Sequence, residues 1–501
     1  MTSPHITIRL ALFGVLLLAV ADADCPVCAA ERPDVLLIMP DQMRGDCLSM
    51  LRHPCVRAPQ MDRLARDGTL FRRAYSTVPS CIPARYALLT GLAPQTSGVI
   101  GYFARPINTP TLPAVLSEAG YATILVGRYM HQAKSCGTCG YQRQILGSTY
   151  VSGDEYDAFL RQMAPESGGI RALIAGMSLD CNKWSASPWA LADNLHPTAW
   201  IVSQSCKIVA ETPTTQPLFL TASFYAPHPP LFPPKKFFDR YMKADLPNPA
   251  HGDWVDWSAL SPKGDTNGHR VLLEGDTLRR TQAGYFGLIE HLDSEIAPLI
   301  AQFKARSEKA GRPWVIVVTS DHGEMLGDHG YFRKCEPYEG SANIPFLVAA
   351  APSLGFKSGQ RNLQPVCLED IMPTLLDLAG ANRPALMDGV SLLPVLRGEE
   401  CLVREWLHFE HSQCYSKEQA FQAITDGHYK YIWRPVDGSE QLFNLDNDPH
   451  EEEDLSKAAT ERASLEKWRK CLIRRLASRS NSLSDGQRLI PAPSVQSEHK
   501  R

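Results

Sequence analysis

The strongest constraint on the fold lies in short strings of apolar residues that run straight into polar or charged ones. Val35-Leu36-Leu37-Ile38-Met39, Thr123-Ile124-Leu125-Val126, Leu218-Phe219-Leu220-Thr221-Ala222 and Val315-Ile316-Val317-Val318 show almost no alternation between apolar and polar positions. Successive strand residues point to opposite faces, so an unalternating run reads as a strand covered on both sides, as in the parallel sheet of an α/β protein. Such sheets need helices on each face. Tyr285, Phe286, Ile289, Leu292, Ile296, Leu299, Ile300 and Phe303 recur at helical spacing and supply the apolar stripe of one. Ligands of open α/β sheets bind beyond the carboxyl ends of the strands, so the residues after each string are where chemistry is expected.

The first string leads into Pro40-Asp41-Gln42 and a much later one into Ser320-Asp321-His322. Each pair brings a carboxylate and a second ligand-capable side chain to the sheet edge. A cluster of mostly oxygen donors suits a hard divalent cation better than zinc. Either pair alone is also what a strand-ending turn supplies. Between them lies Ser80-Cys81-Ile82-Pro83-Ala84-Arg85, which reads as the start of a helix. Pro83 fits the first turn, where its missing N–H loses no bond, and Gly91 can end the helix at positive φ. Cys81 then stands at a helix N-terminus, where free N–H groups favour an anion, and Arg85 falls on the same helix face. Taken alone, this is also how a buried cysteine opens an ordinary helix.

The spacing of Cys81, Pro83 and Arg85 resembles the C-x-P-x-R signature of the type I sulfatases. The resemblance continues through Ala226-Pro227-His228-Pro229-Pro230, through Asp321 to Gly330 and on to Lys334, and through Asp370 to Gly380 and Asp426 to Ile432. It implies an alkaline-phosphatase-like α/β fold: a large mixed, mostly parallel sheet flanked by helices, with a smaller C-terminal antiparallel module. It also implies that a formylglycine-generating enzyme oxidises Cys81 to formylglycine, whose hydrated aldehyde attacks the sulfur of a sulfate ester. The implied metal is Ca²⁺, with Mg²⁺ as the alternative, held by Asp41, Gln42, Asp321, His322 and residue 81. Arg85, Arg128 and Lys334 would hold the nucleophile and the sulfate. His228 or Lys334 would serve the leaving oxygen, and His131 would be the base that releases sulfate.

Two departures from the family pattern stand out. Gln42 occupies the position of a second acidic ligand. Gly127-Arg128-Tyr129-Met130-His131 stands in place of G-K-x-H, with arginine for lysine and the histidine one residue late. The implied substrate is a sulfated small molecule or glycan, with carbohydrate sulfates favoured over aryl sulfates. The rival expectations are a phosphodiesterase or phosphonate monoester hydrolase of the same superfamily, and an inactive homologue that binds sulfated glycans.

Residues 1–23 read as a secretory signal peptide, with His5 and Arg9 before the apolar run Leu10 to Ala21 and small residues Ala21 and Ala23 at a cleavage site. This predicts a secreted or periplasmic protein. No apolar stretch is long enough for a comfortable membrane span. The catalytic α/β domain is expected over 31–400 and a C-terminal α+β subdomain over 401–481, with a mobile tail at 482–501. Strands are expected at Glu405 to Glu410, Ala420 to Thr425 and Tyr429 to Arg434, then a helix near Ala463 to Leu476. A net charge of −3 gives no basic field, which argues against nucleic acid as a partner. The fourteen cysteines include the pairs Cys25/Cys28 and Cys136/Cys139, read as local disulfides or free thiols ahead of a zinc site.

Overall fold

Each of the apolar strings forms a strand, and the strands share one sheet. The computed structural model describes, from Arg32 onward, residues 32–181, 183–260, 269–479 and 483–492. The signal-peptide reading, Cys25, Cys28 and residues 493–501 lie outside the described residues. In chain order the strands are β1 (Asp34–Asp41), β2 (Thr69–Phe71), β3 (Ala74–Tyr75), β4 (Ala122–Gly127), β5 (Arg143–Leu146), β6 (Leu218–Pro227) and β7 (Trp314–Thr319). They continue with β8 (Phe346–Ala350), β9 (Gln360–Asn362), β10 (Val366–Cys367), β11 (Leu407–His411), β12 (Phe421–Thr425), β13 (Tyr429–Trp433) and β14 (Glu440–Asn444).

The large sheet has eight strands in the order β5-β4-β6-β1-β7-β8-β2-β9. β5, β4, β6, β1 and β7 run parallel, with Leu36 of β1 opposite Leu220 of β6 and Ile316 of β7. β8 is antiparallel to both β7 and β2, which makes the sheet mixed and mostly parallel as expected. β1 shows why its residues form a doubly covered strand. Leu36 and Ile38 enter one core, with the long helix Gly275–Lys309 and the helix Pro197–Glu211. Val35, Leu37 and Met39 enter the other, with the helices Cys81–Thr90 and Ile371–Ala379. Burying a large apolar side chain contributes roughly 1.5–3 kcal/mol, so both faces select against polar residues.

β11 to β14 form a separate antiparallel sheet in sequential order. One face, including Phe409, Phe421 and Ile432, packs on Tyr75, Met325 and Tyr338 beside the large sheet. The other, including Tyr431 and Trp433, is covered by the helix Arg462–Ala477. The segment expected to trail away after 482 behaves differently up to residue 492. Leu483 is an apolar residue and is buried against that same helix, and Ser484 pairs with Leu489. Cys136 and Cys139 are joined by a disulfide. No helix among the described residues is long and apolar enough to cross a membrane.

Candidate active site

β1 and β7 lie side by side, so Asp41 and Asp321 emerge together at the same sheet edge. The helix Cys81–Thr90 aims its first residue at them. Gly91 ends that helix at φ 66°, its N–H donating to the Ala87 carbonyl. Asp41, Cys81, Asp321 and His322 are all buried, and each offers a ligand atom within 4.8 Å of the others. Cys81 Sγ lies 3.1 Å from His322 Nε2, 3.3 Å from Lys334 Nζ and 3.9 Å from Asp41 Oδ1.

Arg85 holds the two carboxylates in place. Its Nε donates to Asp321 Oδ2 at 2.9 Å and its Nη2 to Asp41 Oδ2 at 2.8 Å, leaving Nη1 for Ser223 Oγ. The arginine that the sequence placed near the nucleophile therefore also sets the geometry of the acidic pair. Arg128 follows β4 through Gly127, at φ 99°, where a Cβ would meet the Ser223 carbonyl oxygen at 2.1 Å. Its Nη1 is 2.9 Å from Asp41 Oδ2, and the guanidinium carbon sits 4.4 Å from the centre of the Tyr225 ring. Arg128 is 1% exposed; its Nη1 is taken up by the ion pair with Asp41, while its Nε makes no hydrogen bond among the described residues. A buried donor left unspent is costly unless an acceptor arrives to take it.

Lys334 converges from the loop after β7. Its Nζ donates to Gln42 Oε1 at 2.8 Å and lies 3.2 Å from His228 Nε2. Burial opposes its charge, but Cys81 and Asp41 outweigh burial and raise its pKa above the ordinary lysine value. His228 is driven well below its usual value by burial and by Lys334 and Arg128, so it is neutral. Its Nδ1 is 2.6 Å from the Pro229 carbonyl oxygen, which fixes the proton on Nδ1 and leaves Nε2 to accept from Lys334. Burial pushes the Cys81 thiol up, yet Lys334, His322 and Arg128 together bring it well below its ordinary value.

Gln42, expected among the ligands, turns its amide oxygen to Lys334 instead. The reason is Glu324, whose buried carboxylate accepts from Gln42 Nε2 and from the backbone N–H groups of Leu326 and Arg333. Burial lifts the Glu324 carboxyl to about 7. His131 lines the same cleft as Arg128, His228 and Lys334, at φ 57°. Its Nδ1 lies 3.5 Å from Arg128 Nη2. The cleft measures about 540 Å³ and is bordered further by Tyr102, Tyr150 and Tyr415. Sequence reasoning missed Glu324, Tyr150 and Ser223. Glu324 stands three residues after Asp321 in a matched segment, so a signal existed; Tyr150 carries none.

The Sulfatase family model matches residues 33–381, and a second, for the C-terminal part of N-sulphoglucosamine sulphohydrolase, matches residues 327–478. An arylsulfatase of Clostridium perfringens is 34% identical over 475 residues, covering 92% of this chain and 97% of that protein. A choline-sulfatase of Rhizobium meliloti is 27% identical, covering 84% of this chain and 81% of its own length. Among solved structures, a phosphonate monoester hydrolase of Agrobacterium radiobacter superposes with a TM-score of 0.75 at 24% identity, over 89% of this chain and 96% of that one. That last likeness is one of fold.

Proposed function

The chain belongs to the sulfatase family and is a sulfuric ester hydrolase, and we propose that it removes sulfate from a carbohydrate with residue 81 as nucleophile. The observation that carries this reading is Cys81 Sγ within 3.3 Å of both Lys334 Nζ and His322 Nε2, beside a buried arginine whose Nε is unspent. A cleft of about 540 Å³ is far larger than a sulfate group needs and is of the size that takes a small ligand. Its tyrosine walls suit the apolar face of a sugar ring.

The donor set fits a hard divalent cation. Two fully buried carboxylates, Asp41 and Asp321, and His322, whose Nδ1 is tied to the Gly323 carbonyl and whose Nε2 faces residue 81, gather their ligand atoms around one point. Those residues would hold Ca²⁺, or Mg²⁺. When bound, the ion supplies positive charge to the sulfate oxygens and to the nucleophile, a Lewis-acid contribution. Formylglycine at 81, made from the cysteine by its maturing enzyme, supplies a hydrated aldehyde oxygen for attack on sulfur.

The chain's own residues do the rest. Arg128 offers Nε to a non-bridging sulfate oxygen, a preorganised donor held in place by the ion pair of Nη1 with Asp41. Lys334 holds a proton within reach of the leaving oxygen, and neutral His228, 3.2 Å away, orients the ammonium group and can pass the proton on. Arg85 holds both carboxylates in register. His131 stands beside Arg128 at the cleft wall and is the candidate base for release of sulfate. A secreted or periplasmic setting agrees with the N-terminal reading and with an extracellular glycan as substrate.

Steady-state rates on matched aryl sulfate and aryl phosphonate esters, followed by a panel of sulfated mono- and oligosaccharides, test the proposal. The expected result is a much higher kcat/KM on the sulfate ester and desulfation of at least one saccharide. A preference for the phosphonate, or turnover of aryl sulfates with no saccharide accepted, would overturn it.

A further inference from the structure

A second cluster of reactive side chains borders the cleft: Cys335, next to Lys334, with Cys414 and His411. We propose that Cys335 and Cys414 form a redox-active pair whose closure to a disulfide ties the Lys334 loop to the segment after β11.

The two Sγ atoms lie 2.9 Å apart although the residues are 79 positions apart in sequence. Nonbonded heavy atoms rest at roughly 3.5–4.0 Å, so the approach is already close to bonding. Cys335 is buried and its backbone is pinned: φ is 73°, and its N–H donates to the Pro79 carbonyl at 2.9 Å, just before the nucleophile helix. Cys414 is half-buried and lines the cleft. It is the thiol that a soluble reagent meets first. Burial, then the contact with Cys414, holds the Cys335 thiol well above its ordinary value, which makes it the resolving partner.

A metal ion fits this cluster less well. Two thiolates on one tetrahedral zinc, with Zn–S of about 2.3 Å, stand roughly 3.8 Å apart. Both ring nitrogens of His411 already have partners: Nδ1 is 2.5 Å from the Ser412 carbonyl oxygen and Nε2 is 2.8 Å from Ser80 Oγ.

The oxidant is a small soluble disulfide such as glutathione disulfide. The Cys414 sulfur attacks one of its sulfurs and releases one thiol. The Cys335 sulfur then attacks Cys414 Sγ in the mixed disulfide and expels the second thiol. Two cysteine thiols are oxidised, the reagent is reduced by two electrons to two thiols, and the two cysteine protons leave on those thiols. Because Lys334 precedes Cys335 directly, closure restrains the backbone that carries the Nζ contacts to Cys81, Gln42 and His228. Cys335 and Cys414 are thus positioning residues for Lys334.

The test uses full-length enzyme equilibrated in glutathione redox buffers, blocked with iodoacetamide and digested without reductant. A peptide linking 335 to 414 is expected at the oxidising end, and it should be absent from Cys414→Ser. The linked fraction and kcat/KM on an aryl sulfate should rise together through one two-electron transition, with a several-fold loss on reduction. The Cys414→Ser variant should not respond, which separates this pair from Cys136–Cys139. Alkylation of both cysteines at the oxidising end, or zinc bound in a one-to-one ratio with both thiols protected, would overturn the proposal, as would a linked fraction that changes with no change in kcat/KM. The cross-link rests on mass alone; only the kinetic readout rests on the sulfatase reading.

Discussion

Two buried arginine–aspartate pairs in this molecule look alike and do different work. Arg404 meets the fully buried Asp370 in a fork, Nη1 to Oδ2 at 2.8 Å and Nη2 to Oδ1 at 2.5 Å. The same carboxylate accepts from the N–H groups of Cys367 and Val390, and Nη1 also donates to the Pro365 carbonyl. Both Nη groups and both carboxylate oxygens are engaged inside the protein, and the pair pins the segment around residue 370 to the chain near 390 and 404. Around Asp41 and Asp321, Arg85 spends its bonds in the same way, but Arg128 does not. Its Nη1 pairs with Asp41 but its Nε is left over, and Lys334 and His228 stand beside a cleft. Burial of charge is common to both regions; what distinguishes the second is an unspent donor on Arg128 beside a cleft that a ligand can enter.

The sharpest way to break this comparison is to remove a carboxylate from each region. Asp321→Ala should lower kcat by several orders of magnitude and abolish binding of a stoichiometric divalent ion, measured by elemental analysis, because it removes a charge that fixes the ion. Asp370→Asn should leave kcat per folded molecule near that of the unaltered enzyme while lowering the denaturation midpoint. Equal kinetic losses in both variants would show that the two sites do not differ as described.

Arg128→Ala comes next, with an expected loss of roughly 10² to 10³ in kcat, the scale of one oxyanion donor. Arg128→Lys should restore part of it, since a point charge cannot reproduce the planar fork. The matching change, Arg404→Ala, should cost about 3–5 kcal/mol of stability in chemical denaturation, because it strands a buried carboxylate. Its effect on kcat per folded molecule should be small.

How much of this was legible in the sequence follows the same division. β1, β4, β6 and β7 could be read because strands buried on both faces leave unbroken apolar strings. The edge strand β5, mostly part-exposed, and the three-residue β9 leave no such trace. β14 is not among the strands read from the sequence, because Glu440-Gln441 make it read as polar. The helix that carries Cys81 was readable from Pro83 and Gly91, whose backbone demands are local. The fate of Gln42 was not. It depends on Glu324, 282 residues away, and on a buried hydrogen bond that no spacing encodes. The contact of His131 with Arg128 spans three residues, whereas that of His411 with Ser80 crosses 331 and had no signal.

A smaller effect tests the structural region through pH. Burial holds His408 of β11 and His329 down to about 4. The unfolded chain binds protons at these histidines below about 6.5, while the folded protein resists them until about 4. Their stabilisation is therefore complete above pH 6.5 and is lost as pH falls toward 4, on the order of 3 kcal/mol for each. Urea midpoints recorded from pH 7.5 to 4.5 should fall on acidification, and His408→Gln should flatten its share of that fall. A pH-independent difference between variant and parent would contradict the assignment.

The central claim is that residue 81 acts as an aldehyde placed among Lys334, His322 and the two carboxylates. The direct measurement is mass analysis of the peptide spanning residue 81 from enzyme co-expressed with a formylglycine-generating enzyme, with turnover of an aryl sulfate measured on the same sample. The account predicts an aldehyde at 81 in a fraction that scales with kcat, and no turnover by a well-folded Cys81→Ala variant. Full activity in protein whose residue 81 remains a thiol would contradict it.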